Sequence, residues 1–375
     1  MAGIYIHIPF CKSRCVYCDF YSTTSLEQRQ RYVDALCKEM VMCGSSSSFL
    51  EEMGSIKTIY LGGGTPSQLT VEQLIQLFIY INKVYDVMSS AEITIECNPD
   101  DVDDSFAAAI ADLPVNRVSM GVQTFSDERL CFLRRRHNAG QIAVAVERLR
   151  RNGIGNISID LIYGFPKETL KEWHADIAKA LGLQVEHISA YALQYEEATP
   201  LGRMLQQGLV KEVDEELSRQ MYYDLKDCLF EAGYEHYEIS NFARPGFRSR
   251  HNSGYWNQTP YLGFGAAAHS YDGHKRQWNV ADIQQYMKGM EWGTPFVESE
   301  VLDDDTRYNE LVMTALRTCE GLPLSALHGN TRDYCLRQAR PFVEGQLLKI
   351  ADDHMRLTRE GLFVSDMVIS DLMKV

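Results

Sequence analysis

Three cysteines fall in the short run Cys11-Lys-Ser-Arg-Cys15-Val-Tyr-Cys18. Gaps of three and two residues let one loop wrap three thiolates around a single inorganic centre. A [4Fe–4S] cube has four iron corners, so three thiolates leave one iron free for a small chelating ligand. The competing reading is a structural zinc ion, which takes four closed ligands, often from two cysteine pairs. No second pair follows in the sequence, and His7 would have to serve as an unusual fourth ligand. The other seven of the ten cysteines are scattered. Cys97 ends an expected strand without a cysteine neighbour and is not assigned as a ligand.

A second group of residues is spaced along the chain rather than clustered. Gly62-Gly63-Gly64-Thr65-Pro66 follows an apolar run, and glycines there let backbone approach a ligand closely or simply turn from strand to helix. Glu96, Gln123 and Asp160 fall in or at the ends of successive apolar runs, and Arg135 lies just beyond one. Singly, such residues are solvated or cap helices. Together they occupy the end of parallel strands where barrel proteins build their sites. Asp160 is the most telling, because a carboxylate inside an apolar strand is costly unless paired. The run Arg250-His251-Asn252-Ser253-Gly254-Tyr255-Trp256 offers an imidazole for iron and flat rings for a macrocycle. Its bland reading is a loop packed on the fold by Tyr255 and Trp256. No residue is assigned as a catalytic acid, base or nucleophile.

These residues need a scaffold to bring them together. Expected strands are Ile4–Ile8, Ile56–Leu61, Glu92–Glu96, Arg117–Gly121, Asn156–Ile162 and Glu186–Tyr191. Their apolar, β-branched composition suits buried parallel strands. The intervening segments are long enough for a crossover helix each. Thr70 to Tyr85 is one, with a Thr70/Gln73 capping box and a stripe at Leu74, Ile75, Phe78, Ile81 and Tyr85. The fold class is therefore α/β: a partial (β/α)6 barrel, TIM-like, with a smaller, mainly helical C-terminal domain. The expected divisions are 1–243 for the barrel, 244–279 for a connection, irregular over Arg244–Gly273, and 280–375 for the second domain. Gly345–Leu357 reads as a hairpin, Thr358 as the start of a helix, and the serine run Ser45–Ser48 as a surface loop.

Composition narrows the partners. The 375 residues carry a net charge of −14, which offers no general attraction to nucleic acid. No stretch reaches the roughly 20 apolar residues of a membrane span. The first ten residues read as a strand rather than a signal peptide. The protein is expected in the cytoplasm, where scattered cysteines stay reduced.

The run His7-Ile-Pro-Phe-Cys-x3-Cys-x2-Cys resembles that of the radical S-adenosylmethionine (SAM) superfamily, and more narrowly its coproporphyrinogen dehydrogenase-like branch. The resemblance covers nearly the whole chain. It implies a [4Fe–4S] cluster on Cys11, Cys15 and Cys18, with SAM chelating the fourth iron through its amino and carboxylate groups. An electron from the cluster would cleave SAM to methionine and a 5′-deoxyadenosyl radical. It assigns Gly63, Gly64 and Thr65 to the methionine moiety, and Glu96, Gln123, Arg135 and Asp160 to SAM binding. Tyr5 and Tyr17 match flanking contacts, and Ala192 matches a further one.

The run His251-Asn252-x-x-Tyr255-Trp256 resembles the signature of the HemW heme chaperone branch. That resemblance makes His251, Asn252, Tyr255 and Trp256 the heme candidates, with His251 as the leading iron ligand. Two departures point away from the true dehydrogenase. It carries a further cysteine two residues after the third cluster cysteine, where this chain has Phe20, and it has a long N-terminal extension. The implied function is a heme chaperone that passes heme to a hemoprotein, such as a respiratory-chain subunit at the membrane, with the chaperone itself peripheral there. The alternative is an oxygen-independent coproporphyrinogen III dehydrogenase. The C-terminal domain resembles a helical cap over the barrel mouth.

Overall fold

The computed structural model describes residues 2–44 and 54–374; the expected loop at Ser45–Ser48 lies outside them. Strand and helix alternate from the start. β1 (Ala2–Ile8) leads to α1 (Arg29–Gly44), β2 (Ile56–Gly63) to α2 (Val71–Val84), and β3 (Val87–Cys97) to α3 (Asp104–Ala111). β4 (Arg117–Gln123) is followed by α4 (Asp127–Phe132) and α5 (Ala139–Arg151), β5 (Ile157–Tyr163) by α6 (Leu170–Gly182), and β6 (His187–Ala192) by α7 (Pro200–Gln206) and α8 (Glu215–Glu231). The six parallel strands lie side by side in sequence order, as right-handed βα repeats require.

Local chemistry explains the helices. α2 begins at the expected capping box, with Thr70 and Gln73 each satisfying the other's backbone N–H. Leu74, Leu77, Phe78 and Ile81 form its buried stripe, each contributing about 1.5–3 kcal/mol by leaving water. Ile75, expected in that stripe, is exposed instead. The same reciprocal cap starts α5 at Asn138/Gln141 and α6 at Thr169/Glu172.

The strands have two distinct faces. Ile59, Ile95, Val118, Ile159 and Ile188 point outward into the main core, where they meet Leu36, Leu74, Ile142 and Trp173 from the helices. The alternate residues face the barrel interior and are mostly polar: Tyr60, Glu96, Arg117, Asp160 and Ser189 among them. Apolar burial thus holds the helices on the sheet, and the interior is left for polar chemistry.

The region expected to be irregular, Arg244–Gly273, is structured. At one edge β8 (Asn241–Ala243) pairs antiparallel with β6, and β7 (Glu235–Glu238) pairs antiparallel with β8 outside it. Then come α9 (Arg250–Trp256), β9 (Tyr261–Phe264), β10 (His269–Tyr271), β11 (Lys275–Asn279), α10 (Ile283–Trp292) and β12 (Val297–Val301). β9 pairs parallel with β1, and β10 to β12 extend that edge, giving twelve strands in order β12-β11-β10-β9-β1-β2-β3-β4-β5-β6-β8-β7. Gly263 hides β9 from a sequence reading. A Cβ there would lie 1.9 Å from the His269 carbonyl oxygen, so only glycine lets β9 and β10 meet.

The expected division at 280 falls between β11 and α10. α10 packs on α1, where Arg31 pairs with Glu291 at 2.6 Å and Tyr286 donates to buried Glu39 at 2.6 Å. A separate core gathers Tyr308, Val312, Leu322, Met355 and Val368. It joins α11 (Asp304–Ala315), β13 (Leu322–Pro323), α12 (Asn330–Glu344), the hairpin β14 (Leu348–Ala351) and β15 (His354–Leu357), α13 (Arg359–Phe363) and α14 (Ser365–Leu372). This unit does not cap the barrel mouth as expected. It packs on the β7 edge, through Arg317 to Glu238 at 2.8 Å, and on α8, through Arg359 to Asp227 at 2.6 Å.

Candidate functional site

Cys11, Cys15 and Cys18 lie in the loop after β1, at the C-terminal end of the barrel. Backbone bonds fix that loop: Cys11 N–H donates to Thr23 O at 2.9 Å, Thr23 N–H to Pro9 O at 2.7 Å, and Val16 N–H to Leu133 O at 3.2 Å. All three thiols are free, half-buried, and face one cavity of about 470 Å³. Cys11 Sγ lies 3.5 Å from Thr65 Oγ1, and Arg135 Nη1 lies 3.6 Å from Cys15 Sγ. Burial raises the Cys11 pKa, partly offset by Thr65, Arg135 and Arg14. Burial likewise pushes Cys18 up to about 11. A metal must displace those protons, which couples metal loading to pH. Among the described residues, no three His, Cys, Asp or Glu side chains are drawn together tightly enough for a single ion.

The glycine run forms the adjoining wall. Gly63 has φ of 105°, and a Cβ there would lie 2.4 Å from the His7 ring. A Cβ on Gly64 would lie 2.7 Å from the Pro9 carbonyl carbon. Glycine is therefore required for β2 to pass this close to the start of the cysteine loop. The bare backbone and Thr65 line the cavity beside Cys11.

The polar residues expected at strand ends converge on the same space. Glu96, one residue before the end of β3, accepts from Tyr60 Oη at 2.7 Å and Gly63 N–H at 3.2 Å. Burial, with the nearby Asp160 charge, still raises it to about 7. Asp160 rises to about 6 through burial, opposed by Ser189 and by the nearby charges of Arg117 and Arg135. Gln123 has φ of 68°, a backbone strain of the kind that collects at functional sites. Arg135 is half-buried at the cavity wall; burial opposes its charge, but Tyr17 and Cys15 more than compensate and its pKa rises. Tyr17 and Ala192 also line the cavity. Tyr5 does not. It lies on β1 among Tyr60, His251 and His7, with its hydroxyl 3.0 Å from His7 Nδ1.

The four heme candidates form a helix rather than a loop. α9 plugs the opposite, N-terminal end of the barrel. Its first two helical N–H groups, of Arg250 and His251, both donate to Glu92 at 3.0 Å. His251 is buried with both ring nitrogens engaged, Nδ1 with Thr58 Oγ1 and Nε2 with Tyr255 Oη, each at 2.9 Å. Burial, helped by Arg117, lowers its pKa to about 3, so the ring is neutral. Trp256 stacks under Arg317 at 5.0 Å, and its buried Nε1 has no hydrogen-bond partner among the described residues. Only Asn252 reaches the cavity. The four side chains therefore present no common exposed face.

Sequence reading missed Tyr60, Asn98, Arg117 and Ser189. Tyr60 and Asn98 hold Glu96 and Arg135 in place, the latter through Asn98 Oδ1. Alternation was the available signal, since Tyr60 precedes Gly62 by two residues, and Arg117 and Ser119 precede Gly121 on one face.

Comparison with known proteins agrees with this layout. The model of the radical SAM superfamily matches residues 5–180, and that of the HemN C-terminal domain matches residues 302–364. The protein named heme chaperone HemW from Lactococcus lactis is 37% identical, over 85% of this chain and 82% of its own. The one so named from Bacillus subtilis is 34% identical over 98% of each. Coproporphyrinogen III oxidase (HemN) from Escherichia coli superposes with a TM-score of 0.84 at 22% identity, over 100% of this chain and 90% of its own. At that identity the superposition establishes the fold. The identity to the chaperones, sustained along the chain, establishes more: this protein belongs to the HemW heme chaperone family of the radical SAM superfamily.

Proposed function

We propose that this protein is a heme chaperone of the cytoplasm that holds a [4Fe–4S] cluster on Cys11, Cys15 and Cys18, with SAM at the open iron. The observation that carries the reading is the convergence of three free thiols, a bare glycine wall and the Glu96, Gln123 and Arg135 side chains on one cavity. Those residues suit the two groups. Thr65 and Arg135 position the Cys11 and Cys15 sulfurs, while Gly63 and Gly64 leave room for a ligand against backbone. Glu96 and Asp160 offer negative charge to a cationic ligand, and Arg135 offers positive charge to its carboxylate. Bound there, the cluster and SAM supply one-electron chemistry.

Heme delivery to a hemoprotein, membrane-associated in the fullest form of this proposal, rests on kinship with the chaperones and on Phe20. That residue stands at the cavity rim, 65% exposed, where the dehydrogenase pattern has a cysteine. Ligation of heme iron by His251 requires that Thr58 or Tyr255 release a ring nitrogen.

Anaerobic reconstitution tests the cluster. It should load about four iron and four sulfide per chain, and Ala at Cys11, Cys15 and Cys18 should abolish that. Stoichiometric zinc without sulfide would refute it. An anaerobic heme titration tests the chaperone reading: saturable binding supports it, and binding no stronger than to an unrelated protein removes it. Product from coproporphyrinogen III under reducing conditions would make the protein a dehydrogenase instead.

A further inference from the structure

Arg117 is the first residue of β4, and its side chain enters the barrel interior below the cysteine loop. It lines the cavity yet is only 1% exposed. Its Nε and Nη1 are buried without a hydrogen-bond partner among the described residues. Neither nearby carboxylate forms a hydrogen bond or ion pair with Arg117 among the described residues: Glu96 is engaged by Tyr60 and Gly63, and Asp160 feels the guanidinium only as a nearby charge. Two histidines whose charged forms Arg117 disfavours, His187 and His251, stay neutral beside it. The register partner of Arg117 on β3, Thr94, carries a second fully buried hydroxyl without a partner. A buried guanidinium with two nitrogens lacking hydrogen-bond partners is costly, and a fold that needed only bulk here would use an apolar side chain.

We infer that Arg117 anchors a carboxylate of a second ligand at the base of the cavity, beneath the space bounded by the three cysteines. A carboxylate matches the planar fork of a guanidinium. The two acidic residues nearby disfavour a doubly charged anion such as phosphate. Ser119, two residues along the same face of β4, and Asn252, at the plug, add neutral polar groups to the cavity wall. This subsite is distinct from Arg135, which faces Cys15 at the mouth.

The carboxylate belongs either to a small free acid or to a propionate arm of heme. Propionate is the probe, followed by saturation-transfer NMR on protein reconstituted with cluster and SAM, with chloride as the control anion. Propionate should give a saturable signal that chloride does not compete away. The signal should vanish in Arg117→Gln, and weaken in Ser119→Val, which removes a polar group from the cavity wall and leaves the charge intact. Competition by heme but not by heme dimethyl ester would identify the heme arm; no competition by either would identify a free acid. No signal in the native protein, or equal signal in the folded variants, would overturn the inference. Because propionate is measured without heme, this outcome is separate from success or failure of heme binding.

Discussion

Arg135 and Cys15 join the two halves of the candidate site: Nη1 of the arginine lies 3.6 Å from the cysteine sulfur, while Nη2 donates to Asn98 Oδ1 beyond β3. One side chain thus sets the cysteine loop against the strand ends. Lysine has the charge but not the fork. Arg135→Lys should retain iron and sulfide while weakening SAM binding about tenfold, close to 1.4 kcal/mol. Iron analysis together with a SAM titration would check it, and unchanged SAM affinity would count against the assignment.

Gly63 tests whether backbone must approach the ligand. Its φ of 105° and the His7 ring 2.4 Å from any added Cβ forbid a side chain. Gly63→Ala should destabilise the protein by about 2 kcal/mol or more. Chemical denaturation would measure this, and a loss under 0.5 kcal/mol would show that β2 relaxes freely.

Glu92 caps the plug. Both its oxygens accept helical N–H groups of α9. Glu92→Gln offers one acceptor for two donors, and leaving the other buried should cost about 1–3 kcal/mol. Hydrogen exchange should accelerate in Arg250–Trp256 before it does in β2 or β3. Uniform acceleration would mean that the plug opens only with the whole barrel.

His251 gives a pH signature. Its folded pKa of about 3 lies below the unfolded value near 6.5, with burial as the main cause. The unfolded chain therefore binds the extra proton first as pH falls. Stability attributable to His251 is complete above pH 6.5 and declines below it by about 1.4 kcal/mol per unit, toward the folded pKa. Relative to His251→Gln, the native protein should lose about 2–3 kcal/mol between pH 7.5 and 4.5. Urea unfolding of both proteins at the two pH values decides this; parallel losses would mean that the ring titrates in the fold as it does in the unfolded chain.

Much of the barrel is legible because its signals are local. Thr70/Gln73 announces α2, and the apolar runs at β2, β4 and β5 announce strands covered on their outer face. β9 escaped notice because Gly263, a necessity of its packing against β10, breaks the strand pattern. Ile75 was misplaced because a stripe counted from sequence cannot say which flank of the helix meets the sheet, and Leu77 took the buried position.

The sequence by itself determined the cysteine loop, the order of strands and helices, and the residues that gather at their C-terminal ends. Each of these follows from spacing along one chain, and parallel repeats bring equivalent strand ends to one face whatever the details. Only the tertiary structure decided what lies inside the barrel. That His251 is a neutral, doubly bonded plug residue depends on Thr58, Tyr255 and Glu92, which are distant or unmarked in sequence. That Arg117 Nε and Nη1 are buried without a hydrogen-bond partner among the described residues depends on Glu96 being taken by Tyr60 and Gly63. Such pairings are set by three-dimensional competition among polar groups for a few partners in a space that water barely enters, and no periodicity along the chain records who wins.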